Sequence, residues 1–265
     1  MHYPMYLVDA FVDQPFSGNP AGVCILNQEQ PASWMQNVAL EMNQAETAFV
    51  HKRADGSWNL RWFTPQVEVS LCGHATLAAA HALWQHAGET AATLTFHTAS
   101  GALSATRMGE EIQLNFPADI PQAIAQVPAA LVQLLGKLPR WFGQGRDDLI
   151  AVVDSADDVR RFVPDAQLIA SFTTRGLILS APGDAGSGVD MVSRFFAPRV
   201  GINEDPVTGS AHCLLACYWG DHLAKTNLRA QQASPRGGLL TLDWQGERVL
   251  LSGKTRTMLR GEFCG

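Results

Sequence analysis

The chain has 265 residues, 46% hydrophobic and 17% charged, with 19 basic against 25 acidic side chains for a net charge of −6. That composition is ordinary for a globular protein, and the acidic balance without a long basic run argues against nucleic-acid binding. No apolar stretch reaches the roughly 18 residues of a membrane span, the opening MHYPMYLVDAF lacks the features of a signal peptide, and five cysteines without framework spacing read as free thiols in a reducing cytoplasm.

The first elements are a strand at Met5–Phe11, a Gly/Pro-rich loop at Gln14–Gly22, a short strand at Val23–Leu26 and an amphipathic helix from Ala32 to Met42. Asp55-Gly56 between Thr47–Lys52 and Trp58–Phe63 predicts a hairpin. A helix opening at Gly73 and strands near Leu94–Thr98, Leu103–Met108 and Ile112–Phe116 complete a first half. The proline-containing stretch from Phe116 to Pro128 reads as a linker. A second half then offers a helix at Ala129–Leu135, strands Trp141–Gln144 and Leu149–Val153, and a helix near Asp165–Ala170. Strands Gly176–Ser180 and Met191–Phe196 follow, then a helix opening at Gly209 and closing strands.

The chain is written twice. Arg61–Val67 recurs as Arg194–Val200, Cys72–Leu83 as Thr208–Trp219, and Gly101–Leu114 as Gly238–Leu251, in the same order. Both glycine-led helices are apolar on nearly every side, so both are expected to be buried. The expected fold is α+β: two pseudo-symmetric halves, residues 1–117 and 126–265, each a curved, mostly antiparallel sheet or barrel around a central helix, with the C-terminal strand able to cross back. A seam between such halves is the expected place for a ligand.

Each helix opens at a glycine, Gly73 after Cys72 and Gly209 after Thr208. Free N–H groups and the helix dipole favour an anion there, and glycine admits close approach; tight packing of buried helices explains the same glycines. His74 and Ser210 occupy matching first-turn positions, where His suits proton exchange near neutral pH and Ser suits capping or hydrogen bonding. Asp205 lies where the second copy is three residues longer, ahead of a helix N-terminus, although Asp-Pro is also a common turn signal. Glu46, on residues alone, reads as a solvated loop glutamate or strand cap; burial against the following apolar strand would raise its pKa toward proton-transfer use. Cys213 and Cys217, with His212, read as packing and not as a metal site. Cys72 at a helix mouth could act as a nucleophile or base. No phosphate loop, dinucleotide fingerprint or hydrolase elbow is present.

Four ordered segments, VDAFVDQPFSGNPAGV, MNQAETAFV, RWFTPQVEVSLCGHATLAAAHAL and RFFAPRVGINEDPVTGSAHCLLA, together resemble the PhzF family of phenazine-biosynthesis-like isomerases, related in fold to diaminopimelate epimerase. The resemblance implies an active site between two pseudo-symmetric halves, a homodimer, a small carboxylate substrate, and no cofactor or metal. The family's catalytic glutamate falls on Glu46, overturning the solvated reading, and its partners fall on His74, Asp205 and Ser210, with Asn19 in the substrate-contacting loop. Cys72, Gly73, Thr208 and Gly209 complete the expected substrate-binding set. Epimerase relatives use a cysteine at each helix mouth; here the second position is Thr208, which favours a single-carboxylate shuttle. An amino- or hydroxy-acid epimerase using Cys72 and a non-catalytic binder are the competing readings.

Overall fold

The computed structural model describes residues 2–265. Two compact units emerge: one holds the chain up to Asn115 together with Ser252–Gly265, the other Phe116–Leu251. The first contains β1 (His2–Val12), β2 (Asn19–Leu26), α1 (Ala32–Met42), β3 (Glu46–Lys52), β4 (Trp58–Phe63), β5 (Glu68–Val69), α2 (Gly73–His86), β6 (Thr93–Thr98), β7 (Gly101–Met108) and β8 (Glu111–Pro117). The second begins within β8 and contains β9 (Gln122–Ala123), α3 (Ala129–Leu135), β10 (Trp141–Gln144), β11 (Asp148–Val152), α4 (Ala156–Arg161) and α5 (Ala166–Ala170). It continues with β12 (Gly176–Pro182), β13 (Met191–Ala197), β14 (Ile202–Asp205), α6 (Gly209–Leu223), β15 (Asn227–Gln232), β16 (Gly238–Gln245) and β17 (Arg248–Cys264), whose residues from Ser252 onward belong to the first unit.

Both units repeat one order of strand senses. In the first, β1–β2 is antiparallel, β2–β3 parallel across α1, β3–β4 antiparallel, β4–β6 parallel across α2, and β6–β7 antiparallel. In the second, β10–β11, β11–β12, β12–β13, β13–β15 and β15–β16 follow the same alternation, with α4 and α5, then α6, as the parallel crossovers. In the first unit β8 pairs with β17 and β17 with β1, so eight strands close a barrel. The chain is therefore α+β, built of two like halves.

Two-sided packing explains the near-continuous apolar runs of the central strands. On one face of the first sheet, Met35, Val38 and Ala39 of α1 pack with Tyr3, Met5, Cys24, Leu26, Phe49 and Phe63. On the other face lies α2, buried from His74 through Ala80 and again at Ala82–Trp84. Each buried Leu or Phe contributes about 1.5–3 kcal/mol relative to exposure. In the second unit Leu131, Val159 and Ile169, from three different helices, cover Leu149, Ala151, Leu177, Leu179, Val192 and Phe196. The central helix α6 is likewise buried along most of its length.

The stretch read as a linker is not one. Ala118 N–H donates to the Glu247 carbonyl, Ile124 N–H to that of Phe142, and Gln122–Ala123 pairs with β10. The Asp119 carboxylate accepts from Arg146 N–H at 2.9 Å. Its backbone is thereby tied into the second sheet, a contribution that hydrophobic periodicity does not register. The sequence reading also passed over α4, although Ser155 and Asp158 form a complete capping box there.

Candidate functional site

The sequence-predicted residues fall into two groups, one in each unit. In the first, the parallel β2–β3 register sets Ala21 beside Glu46, making Glu46 the first rung of β3. Cys72 is the N-cap of α2 and His74 lies in its first turn. The His74 Nε2 stands 3.4 Å from Glu46 Oε2, with the two side chains only 7% and 12% exposed. The Cys72 Sγ stands 3.5 Å from the other ring nitrogen, Nδ1. Glu46 is thus held against a buried helix mouth, not solvated.

Burial pushes the His74 ring down to about 3, so it is neutral at pH 7. This corrects the expectation that His74 itself ionises near neutrality. A neutral imidazole has one N–H and one acceptor nitrogen. The Cys72–Nδ1 contact is a hydrogen bond whose direction follows the ring tautomer, whereas Nε2 faces Glu46 at 3.4 Å without forming one.

Asn19, at the start of β2, is fully buried. It follows Gly18, whose φ of +79° suits glycine and where an added Cβ would sit 2.3 Å from the Ala10 carbonyl oxygen. The Ser17 hydroxyl accepts from the N–H groups of Asp13 and Gln14 and donates to the Gln14 carbonyl, tying the preceding loop.

In the second unit Asp205 ends β14 and Thr208 is the N-cap of α6. The Thr208 hydroxyl donates to Asp205 Oδ2 at 2.5 Å, so its side chain serves the aspartate and gives the helix no cap. Gln232, fully buried on β15, accepts from Thr208 N–H at 2.8 Å and donates to the Asp205 carbonyl at 2.7 Å. The sequence reading missed Gln232; it lies outside every repeated segment and carries no local signal. His212 Nδ1–H donates to the Thr208 carbonyl at 2.8 Å, and burial lowers the ring to about 4, so it is a neutral core histidine.

Ser210 is exposed in the first turn of α6, and its hydroxyl accepts from Arg175 Nη2 at 2.9 Å. Arg175, also missed, grips Asp148 with Nε and Nη2 and lies over the Phe195 ring. Gly73 and Gly209 each open their helix with no side-chain cap, leaving N–H groups available to an anion. Cys213 and Cys217 are buried packing thiols, with Cys217 Sγ directed to the Cys213 carbonyl; all five cysteines are free. No helix among the described residues is long and apolar enough to cross a membrane.

The family model for phenazine biosynthesis-like proteins (PhzC-PhzF) matches residues 8–261. A protein of Halalkalibacterium halodurans named as an uncharacterized isomerase is 46% identical over 264 residues, spanning 99% of each chain. A crystal structure of a PhzF-family phenazine biosynthesis protein from Enterococcus faecalis superposes with a TM-score of 0.95 at 42% identity, covering both chains fully. At 10% identity, and so as a likeness of fold alone, a hydroxyproline epimerase from Agrobacterium vitis with bound trans-4-hydroxy-L-proline gives a TM-score of 0.66 over 98% of this chain and 92% of its own. With the same strand order repeated in both units and the match running through nearly the whole sequence, the chain belongs to the phenazine biosynthesis-like (PhzF) family of isomerases.

Proposed function

We propose that this enzyme is a cofactor-independent isomerase that relocates a proton within a small carboxylate-bearing substrate. Glu46 removes a C–H proton made acidic by conjugation and returns it at another carbon. The neutral His74 ring holds Glu46 in place and accepts or donates as the carboxyl changes state. In the first unit the uncapped N–H groups at Gly73 receive the carboxylate and Asn19 supplies a further contact. In the second unit Asp205, fixed by Thr208 and Gln232, and Ser210 with the uncapped N–H groups at Gly209 offer matching polar groups for a ligand. General acid–base help of this kind is worth about 10²–10⁴-fold; positioning supplies the rest.

The observation that carries this reading is the buried 3.4 Å contact between Glu46 and a neutral His74. A neutral ring, unlike an imidazolium, does not hold the carboxylate's negative charge in an ion pair with itself. The test is proton exchange itself. Small unsaturated cyclic carboxylates, incubated with the enzyme in D₂O and followed by NMR, identify a substrate through deuterium incorporation. Glu46→Gln is expected to lower that incorporation by at least about 10²-fold while leaving ligand-induced thermal stabilisation in place. Wild-type exchange by Glu46→Gln would refute the assignment.

A second reading, epimerisation with Cys72 as one acid/base, draws support from the 3.5 Å Cys72–His74 contact. Inverted chirality at the labelled carbon, lost in Cys72→Ser, would favour it. The proposal also takes the enzyme as a cytoplasmic homodimer, and sedimentation equilibrium measures its assembly state.

A further inference from the structure

Arg175 stands just ahead of β12, its backbone N–H on the Asp147 carbonyl at 2.9 Å. Its guanidinium is pinned. Nε donates to Asp148 Oδ1 at 2.9 Å, Nη2 donates to Asp148 Oδ2, and Cζ lies 5.4 Å from the centre of the Phe195 ring. The Asp148 side chain is only 5% exposed, so water competes little for the pairing. A planar fork held on a carboxylate and over an aromatic face has a fixed direction, which a lysine ammonium would lack. Nη2 carries a second hydrogen, and that one reaches Ser210 Oγ at 2.9 Å.

This contact decides what Ser210 offers. A guanidinium has only donors, and a hydroxyl has one proton and two lone pairs. Oγ therefore accepts from Arg175, and its own proton points away from the guanidinium. A hydroxyl that accepts from a cation is polarised, which makes it a stronger donor and a poorer second acceptor. Ser210 is exposed in the first turn of α6, beside the N–H groups of Gly209, Ser210 and Ala211, which find no partner within the helix. The Thr208 hydroxyl and N–H are engaged elsewhere, on Asp205 and Gln232. Ser210 and the helix backbone thus present a ligand with aligned donors. Asp148 neutralises the guanidinium, so the effect of Arg175 is one of direction more than of net charge.

We propose that Arg175 is a positioning residue that determines specificity: it sets Ser210 as a donor, and so tunes the mouth of α6 to a carboxylate in preference to the uncharged amide of the same shape. A carboxylate lays one oxygen on the backbone N–H groups and the other on Ser210. A primary amide satisfies one of these and turns its NH₂ toward the other. This role rests on the reading of that mouth as a ligand site.

Benzoate and benzamide, titrated separately into the full-length protein, test it. The NMR shifts of the Gly209, Ser210 and Ala211 N–H groups report binding at this mouth alone. Wild type should bind benzoate at least about tenfold more tightly than benzamide. Ser210→Ala, at an exposed position that puts no fold at risk, should weaken benzoate about tenfold and benzamide by under about twofold. Arg175→Met together with Asp148→Asn replaces the ion pair by a neutral pair and leaves the net charge unchanged. Ser210 then turns freely and can accept from the amide, so benzoate should weaken and benzamide tighten, each by about threefold. A merely structural role for Arg175 would weaken both probes alike. Equal weakening of both in the paired variant, or in Ser210→Ala, overturns the role of Arg175; the second comparison decides should thermal unfolding show the paired variant unfolded. Benzoate binding that Ser210→Ala leaves unchanged removes Ser210 from the site, and Arg175 with it. Benzoate that shifts none of the three N–H groups sinks the reading of the mouth itself.

Discussion

Replacing Gln232 by leucine removes the side chain that joins β14 to the mouth of α6. Leucine is close in volume, so the packing of this fully buried position is largely kept and the loss is polar. Two groups lose their partners: the Thr208 N–H, now 2.8 Å from Gln232 Oε1, and the Asp205 carbonyl, now 2.7 Å from Nε2. A buried group left unsatisfied costs about 1–3 kcal/mol. Two of them together cost about 4 kcal/mol. At about 2–4 °C per kcal/mol for units of this size, the melting temperature should fall by about 8–16 °C. Gln232→Glu keeps an acceptor for Thr208 but buries a carboxylate against the Asp205 carbonyl oxygen, so a shift at least as large as that of leucine is expected. Gln231→Leu, next door, perturbs one long contact with Arg160 at 3.5 Å and should change little. Differential scanning calorimetry of the three variants reads the comparison directly. A Gln232→Leu protein melting within about 2 °C of wild type would refute the claim that these bonds hold the mouth together.

Other expectations follow from the same geometry. His81 and His212 are both held neutral by burial, with pKa near 4 in each case. The unfolded chain then binds more protons than the folded one between about pH 6.5 and 4. Stability is therefore complete above pH 6.5 and declines as pH falls toward 4, by on the order of 3 kcal/mol for His212; a His212→Gln variant should show a flatter urea midpoint against pH, and an unchanged slope would count against it. The repeated Arg–Glu pair offers an internal control. Arg194–Glu204 is 8% and 16% exposed, whereas Arg61–Glu68 is 31% and 37% exposed. Glu204→Gln should cost about 3 kcal/mol and Glu68→Gln under about 1 kcal/mol, and equal losses in urea unfolding would contradict the burial argument. Gly18→Ala, forced into φ +79° and against the Ala10 carbonyl, should lose about 1–3 kcal/mol and weaken ligand-induced thermal stabilisation through Asn19.

The duplicated segments made the two-half plan legible, because each repeat is a strand or a buried helix whose burial shows in its composition. Ala32–Met42, Trp58–Phe63, Ala129–Leu135 and Trp141–Gln144 are elements whose ends periodicity and turn residues located directly. What escaped was short or polar. β5, β9 and β14 are held by register with longer neighbours and not by their own pattern. The site was half legible. The glycine-led helix mouths advertised His74 and Ser210, but Glu46 looked like an exposed loop residue until a resemblance placed it, since burial of one carboxylate is decided by the helix that arrives from later in the chain. Gln232 and Arg175 act through contacts made 24 to 35 residues away in sequence, a distance over which local pattern is silent.

The way the two halves differ bears on which one carries the chemistry. Arg61 reaches Glu68 across seven residues, and Arg194 reaches Glu204 across ten. Both pairs are bidentate, and in both the guanidinium lies over an aromatic ring two residues on, Phe63 or Phe196. The three extra residues of the second copy are thus absorbed between the Arg and its Glu, and the helix mouths keep their place. Position for position, Val69 becomes Asp205, Cys72 becomes Thr208 and His74 becomes Ser210. The same strand registers compare the acids. Thr47 lies opposite Phe63 and Leu177 opposite Phe196, which makes Gly176 the counterpart of Glu46. No side chain fits there, since a Cβ on Gly176 would sit 2.6 Å from the Phe195 ring. The carboxylate of that rung stands instead on the neighbouring strand, at Asp148, opposite Gly176 as Ala21 stands opposite Glu46. There it is gripped by Arg175 and neutralised. One half therefore presents a carboxylate to a neutral histidine and the other presents a carboxylate locked to a guanidinium. A symmetric pair of acid–base groups on this scaffold would need Asp148 released and Arg175 removed, and this asymmetry supports the proposed use of a single carboxylate.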